Sequence, residues 1–505
     1  VHRDLTDQQS DTVKPDYDVA VVGLGPVGAT LANLLALRGL KVLCLDREAE
    51  IYRLPRAVQV DGECLRVFQT LGVSSALAPN ISPVPGMRFV DPKGCLILDW
   101  SRPMEIGPQG WCASYRFHQP DLEACLRARL KASPTVDIWL RREVFAVEPK
   151  PDHVLLRMED LATGRLGEAT AKYVVGCDGA RSVVRRFIGS ELTDLKSHER
   201  WLVVDVRLKY PRPDLGDYAI QYCDPVRPAT YIRGIGERRR WEIMLNASED
   251  AATVQQPAMV WPLLSRWLKP EEATLERSAV YTFHSVIAKS WRRGRLLIAG
   301  DAAHQTPPFM GQGMCTGVRD AANLAWKLAD VIAGDSHPSL LDTYESERSP
   351  HARVFIEEAV RLGAIIGAMS TGVTGETGVG EPERFVTPKP KLGPGVHEAG
   401  QHGGEISEQP RLDENTLLDD RLGFKSAILA RPDLAAKLAH HSGGLDLVSA
   451  DSAAALAWLD RLGASAVLLR PDRYIFGVAQ TEQDLKDLTA RYATARRRQA
   501  LGLHA

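Results

Sequence analysis

"YDVAVVGLGPVGATLANLLALRGLKVLCLDRE" occupies residues 17–48 of a 505-residue chain, and its reading decides the fold. Val19–Val22 is a short apolar run of the kind a buried strand makes, and Ala29–Leu37 is Ala- and Leu-rich, as a helix is. Gly39 ends the helix, and Lys41–Leu45 forms the next strand. Strand, helix and strand in so short a span make a βαβ unit, which implies a parallel sheet. The first turn reads Gly23-Leu24-Gly25-Pro26-Val27-Gly28. In such a turn the first glycine allows the bend, the second lets a pyrophosphate approach the backbone, and the third packs helix against strand. The helix N-terminus then offers free N–H groups and a positive dipole end to phosphate. Asp46 ends the second strand, where an acid can bond ribose hydroxyls. The motif predicts a bound dinucleotide and leaves open whether it is NAD or FAD.

Composition excludes several classes. Lys plus Arg number 62 and Asp plus Glu 64, a formal net charge of −2, so no global field draws the chain to nucleic acid or an anionic membrane. Of the 8 cysteines none forms a CxxC pair or a zinc-ligand spacing, so no metal is expected, and a reduced cytoplasmic protein is the simplest reading. No apolar run reaches the roughly 18 residues of a membrane span. Residues 1–16 are polar and read as a loose tail.

Two further strand–turn–helix units follow. "AKYVVGCDGARSVVRRFIG" carries Asp178 and Arg181, and "RLLIAGDAAHQTPPFMGQGMCTGVRDAANLAWKL" (295–328) carries Asp301 in a turn stiffened by Pro307 and Pro308. Both place an acid where a parallel sheet ends, the position at which such sheets bind ligands. Residues 191–285 alternate as strands do, 371–415 is a Gly- and Pro-rich linker, and 416–505 reads as a small α/β domain. The nucleotide-binding domain is therefore expected over 17–190 and 286–370, with 80–115 lending strands to the 191–285 sheet.

The order GxGxxG, then the Asp178-Gly179 turn, then GDAAH…P…GQG, with Arg56 in "YRLPRAVQVDGE" and Gln119 in "RFHQPDLE", resembles the single-component FAD-dependent aromatic hydroxylases over about residues 17–365. "CDPVRP" at 223–228 and "MGQGMCTGVRDAANLAWKLA" are most similar to 3-(3-hydroxyphenyl)propionate hydroxylases, and "LLRPDRYIFGVA" to the thioredoxin-like end domain of phenol-hydroxylase relatives. No cysteine follows Cys315, so that domain cannot be a redox module. The resemblance implies a Rossmann-like FAD domain, a β-rich substrate domain, and hydroxylation of a phenol ortho to its hydroxyl. It implies FAD, with NADH or NADPH as a transient co-substrate, and molecular oxygen activated as a flavin C4a-hydroperoxide shielded from water.

Residue by residue, the resemblance puts Gly23, Gly25 and Gly28 at the pyrophosphate, Asp46 at the adenosine ribose, Arg56 at the ribityl–phosphate region and Gln119 at the ribityl chain, with Pro26, Val27 and Arg47 also among the cofactor-binding residues. Asp301 would bond a ribityl hydroxyl or a phosphate-linked water, Pro308 and the Gly311-Gln312-Gly313 backbone would lie beside the flavin ring, and Gly300 and Met314 would also contact the cofactor. Asp178 and Arg181 would serve FAD and the nicotinamide cofactor. For the phenol's proton acceptor the candidates are Asp61, which could equally be a helix-terminal acid, and Tyr222, with Tyr231 and His284 behind it. His304 is expected to be structural, bonding backbone beneath its turn. Arg227 and Arg233 are candidates for pairing a substrate carboxylate. Other uses of the same motifs are a hydroxylase or epoxidase of a larger polyketide- or quinolone-like aromatic, and a non-catalytic flavin-binding protein. The expected partners are a small aromatic substrate and a second copy in a homodimer.

Overall fold

The computed structural model describes residues 14–370, 383–438 and 444–497. The expected tail over its first thirteen residues, and the start of the expected linker, lie outside them. The predicted βαβ unit is present as strand Tyr17–Val22, helix Pro26–Leu37 and strand Val42–Asp46, the two strands pairing in parallel. It sits in an eight-stranded sheet whose main path runs Arg292–Arg293, Leu296–Ile298, Arg165–Gly176, Tyr17–Val22, Val42–Asp46, Val136–Leu140. Val19, Ala20 and Val21 are wholly buried, as a strand covered on both faces requires.

A nine-stranded sheet stands beside it. Its long central strands are Leu192–Leu208 and Ala273–Ala288, and Gly86–Val90 and Leu96–Ser101 join it from the earlier sequence. The expected boundary at residue 285 falls inside the last long strand. The chain then runs Leu296–Ile298 parallel to Val174–Gly176 in the first sheet, and only a few residues later pairs His304–Gln305 with Val286 and Ile287 in the second. The Asp301 turn is therefore the seam between the two sheets.

The two faces of the second sheet differ. Leu202, Val204, Tyr231, Trp241 and Ile243 pack against Val260 and Leu264 of helix Pro257–Leu264. Trp201, Met87, Phe89, Leu98 and Trp100 pack on the opposite face against Phe309 and Met310 of the seam stretch and Phe355 of helix Asp342–Ser370. Alternation of side chains along each strand makes this division.

The second half of the expected linker is packed. Glu383–Arg384 pairs with Leu98 and Asp99 as an edge strand, and Phe385 is buried against Trp100, with ring centroids 4.7 Å apart. Its apolar residues have a groove to fill, which a count of glycines and prolines does not reveal. The C-terminal unit runs strand Ala427–Ala430, helix Pro432–Leu438, strand Asp446–Ser449, helix Ala453–Arg461, strands Ala466–Leu469 and Ile475–Ala479, and helix Glu482–Arg497. Its first two strands are parallel and the last two antiparallel, a thioredoxin-like order.

A buried ion cluster pins this unit to the rest. Glu347 accepts from Lys327 Nζ at 2.7 Å, Arg470 at 2.8 and 2.9 Å, and Asn323 at 2.8 Å, while Arg470 also bonds Asp472. Burial opposes charge on Glu347, but the Arg470 and Lys327 cations outweigh it and hold the carboxyl well below its usual range. Removing one member strands the others in a dry interior. Arg470→Ala should lose about 3–5 kcal/mol of unfolding free energy, read as a lowered urea midpoint.

Candidate functional site

The glycine turn is held open for a ligand from below. Asp46 accepts the backbone N–H of Leu24 at 3.0 Å and of Glu48 at 2.9 Å, and Arg127 donates to the Leu24 carbonyl at 3.0 Å. Arg127 is absent from the sequence-derived site; its long side chain reaches the turn from helix Gln119–Lys131. Gly25 N-caps helix Pro26–Leu37 with no side-chain cap, so the first N–H groups stay free. A Cβ on Gly28 would run into the Gly23 carbonyl, so only glycine permits this packing. Arg47 is exposed and pairs with Glu48.

The seam turn is held by one buried carboxylate. Asp320 accepts the Gly300 N–H at 3.1 Å, faces His304 Nε2 at 2.7 Å, and accepts from Arg348 Nε at 3.0 Å. His304 thus bonds the turn through a carboxylate where a direct backbone bond was expected. Asp301 itself is exposed, and no hydrogen bond reaches its carboxylate from the described residues. Gly311 takes φ +64°, a left-handed value that admits the reversal into helix Gly313–Ala333, whose N-cap Gln312 supplies no side-chain bond. The Gln312 side chain instead accepts from Arg319 at 3.2 Å, and Met314 packs partly into the core.

Asp178 accepts the Val183 N–H at 2.7 Å, leaving its other oxygen buried without a partner. Arg181 is exposed, and it is Arg185 that bridges the two turns, donating to the Ala302 and Ala180 carbonyls at 2.9 and 2.6 Å. Gln119 accepts the Arg56 and Ala57 N–H groups at 3.0 and 2.7 Å, so it braces the Arg56 segment. From the other side Arg240 donates to the Arg56 and Pro55 carbonyls at 2.8 and 2.5 Å. Two uncapped helix N-termini, an unpaired Asp301 and an orphaned Asp178 oxygen border one cleft. That donor and acceptor set fits FAD, whose phosphates accept and whose ribityl hydroxyls donate.

Four candidates for the chemistry do not stand at this cleft with a free group. Tyr222 lies on the helix-backed face of the sheet, its ring 5.2 Å from Trp267 and under Arg266; strand alternation turns it away from Phe309. Arg227 is a bidentate partner of Glu249, at 2.7 and 3.0 Å. Arg233 pairs with Asp217. Asp61 N-caps helix Gly62–Thr70 through Cys64 N–H at 2.9 Å and meets Arg319 at 2.6 Å. Burial alone would raise the Asp61 carboxyl, but Arg319 and the Cys64 N–H outweigh it, so it is held ionised below its ordinary pKa. Tyr231 is buried on the same face as Tyr222, and His284 is paired with His198 at 2.8 Å.

Arg102 differs. In phase with Leu98 and Trp100, its half-buried guanidinium lies 4.2 Å over the Trp100 ring. Its only side-chain hydrogen bond among the described residues goes to Gln59 Oε1 at 3.4 Å, an atom that lies against Gly311. Burial draws its pKa down to about 10 against the opposing charge of Asp61, and among the described residues no carboxylate is in ion-pair contact with it. Which cations lack an acid partner is legible only once the long-range pairings are made.

The FAD binding domain family matches residues 16–359. A probable NADH-specific resorcinol 4-hydroxylase from Rhodococcus jostii (strain RHA1) is 36% identical over 95% of both chains. A 3-(3-hydroxy-phenyl)propionate/3-hydroxycinnamic acid hydroxylase from Mycobacterium sp. (strain JLS) is 33% identical over 92% of this chain and 89% of its own. Among solved structures, aklavinone-11 hydroxylase with FAD and aklavinone superposes with a TM-score of 0.78 at 22% identity, covering 95% of this chain and 99% of that one. The likeness extends through the C-terminal unit.

The site geometry makes two outcomes specific. Gly28→Ala should purify with less than about a tenth of the wild-type flavin, measured by absorbance, because the helix must move off the glycine turn. Tyr222→Phe should leave kcat and KM within about twofold of wild type in steady-state assays, since its hydroxyl faces the other layer.

Proposed function

The chain belongs to the FAD binding domain family and is an FAD-dependent aromatic hydroxylase, and from that premise we propose that it hydroxylates, ortho to the hydroxyl, a phenol carrying a polar group at the meta position. The substrates named for the two relatives share that pattern: one is a 3-hydroxyphenol, the other a 3-hydroxyphenyl acid. A 3-(3-hydroxyphenyl)propionate-type acid is the favoured substrate. The observation carrying this choice is Arg102, a cation with no acid partner beside an apolar, Trp-lined wall. Resorcinol is the second reading, favoured by the 36% identity.

The chain's own groups have assigned tasks in this reading. Gly23, Gly25 and Gly28 would seat the pyrophosphate on a free helix N-terminus, and Asp46 the ribose. Asp301 would accept from the ribityl hydroxyls, and Asp178 with Arg56 would border the same chain. Bound FAD, reduced by NAD(P)H, supplies the activation of molecular oxygen. The uncapped end of helix Gly313–Ala333 would favour negative charge on the ring beside it. Trp201 and Phe309, with centroids 5.7 Å apart, would close the aromatic side against water. No helix among the described residues is long and apolar enough to cross a membrane. A cytoplasmic homodimer remains part of the proposal.

The test is a substrate panel scored for coupled product. Wild-type protein should oxidise NADH or NADPH in response to 3-(3-hydroxyphenyl)propionate and release a catechol. Arg102→Met should raise KM for that acid at least about tenfold and leave KM for resorcinol within about twofold. Equal effects on both would remove the acid as substrate and leave the neutral phenol.

A further inference from the structure

Asp61 is bound to Arg319 and Tyr222 faces the helix-backed layer, whereas the inner face of the nine-stranded sheet carries a different acid. Strand Arg238–Met244 alternates sharply: Trp241 and Ile243 enter the helix-backed layer, so Arg240, Glu242 and Met244 point the other way. Met244 sits opposite Trp201, which packs against Phe309 of the seam stretch. Arg240 sits opposite Asp205 and holds the Pro55 and Arg56 carbonyls. Glu242 lies between them, about 7 Å along the strand from each. Its neighbours across the sheet are Val203 on one side and Thr230 on the other. It therefore faces the space bounded by the flavin-side turn and the Arg56 segment.

Glu242 is tied to the fold only by a long ion pair with Arg240. Its side chain is 8% exposed, and no hydrogen bond reaches either oxygen from the described residues. The nearest cation is Arg240, whose Nη1 lies 3.8 Å from a Glu242 oxygen, an ion pair beyond hydrogen-bond distance, while the bonds Arg240 does make go to Asp205, Pro55 and Arg56. Thr230, its cross-strand neighbour, gives its hydroxyl hydrogen to Gln221 Oε1 at 2.6 Å. An ionised carboxylate left this way costs free energy that an apolar residue would not, unless a ligand supplies the missing donor. Burial raises the Glu242 carboxyl above its ordinary pKa; Arg240 and Arg277 oppose that, while Asp205 adds to it. These three are the charged groups that act on it.

We propose that Glu242 accepts the hydrogen of the substrate's ring hydroxyl and takes that proton as the ring is hydroxylated. The inference rests on the reading above that the chain hydroxylates a phenol. The phenolic O–H bond breaks and a carboxyl O–H forms on Glu242. The electron pair left on the phenolic oxygen flows into the ring, and the ortho carbon bonds one oxygen of molecular oxygen as the O–O bond breaks; the second oxygen leaves as water, the two reducing electrons coming from NAD(P)H. The ortho carbon then loses its own hydrogen to solvent as a proton, and the phenolic oxygen recovers its proton from Glu242. The net product is the catechol, with the carboxylate restored.

Glu242→Gln keeps the shape and removes the proton acceptor. Wild-type and variant holoenzymes would be compared on 3-(3-hydroxyphenyl)propionate, resorcinol and ring-fluorinated derivatives with more acidic hydroxyls. With the parent phenols, coupled turnover should fall about 100-fold or more while FAD content is unchanged. The deficit should narrow by at least about tenfold on fluorinated phenols that ionise unaided near pH 7, a response that a merely structural glutamate would not produce. Turnover within about threefold of wild type, or the same deficit on every phenol, would overturn the proposal. If Glu242→Gln fails to hold FAD, Glu242→Asp carries the test, with a smaller deficit that must narrow in the same way. Wild-type protein that converts no phenol would overturn the hydroxylase reading, and this one with it; a normal wild type beside an unaffected variant would overturn this one alone.

Discussion

The buried Asp320 carboxylate is the interaction on which the rest of the site depends. It joins three parts of the chain: the Gly300 backbone at the end of the first sheet, His304 on the edge strand of the second, and Arg348 on the next long helix. Burial penalises its charge, and His304 and Arg348 more than offset that penalty, so its carboxyl is held below the usual range. A carboxylate with three donors in a dry interior has one acceptable arrangement. That arrangement places the Asp301 turn at the seam and aims helix Gly313–Ala333 at the cleft.

The seam explains why one stretch carries so much punctuation. It must leave a parallel sheet, expose an acid, re-enter a second sheet and start a helix within a few residues. The helix that follows packs along the first helix of the glycine turn. Two free helix N-termini therefore border one cleft, one suited to phosphate and the other to an electron-rich ring. Arg185 ties the second acidic turn to the first, so the cleft is braced from three sides without using a group that a ligand needs.

The polar side chains of the second sheet divide by face. Arg240, Asp205 and Arg277 form a compact cluster that spends its donors on the Pro55 and Arg56 carbonyls. On the same inner side, and among the described residues, Glu242 keeps only its long ion pair with Arg240 and Arg102 has no acid in ion-pair contact. Structure tolerates such groups where a bound molecule completes them.

The glycine turn, Asp46, the two acidic turns and the GQG helix start were legible in the sequence, because backbone geometry there demands particular residues at particular spacings. The strand-rich middle and the thioredoxin-like end were legible as patterns. Which acid, tyrosine or arginine does chemistry was not. Tyr222 and Glu242 both read as residues on strands, and only pairing register decides that one faces Trp267 and the other the cleft. Asp61, Arg227 and Arg233 read as free charges until partners distant in sequence, Arg319, Glu249 and Asp217, take them up. Local sequence by itself determined where the backbone bends and which helix N-terminus the glycine turn leaves uncapped, since those follow from sterics within a few residues. Tertiary structure alone decided which polar groups are left over for a substrate, since that depends on every long-range pairing being made first.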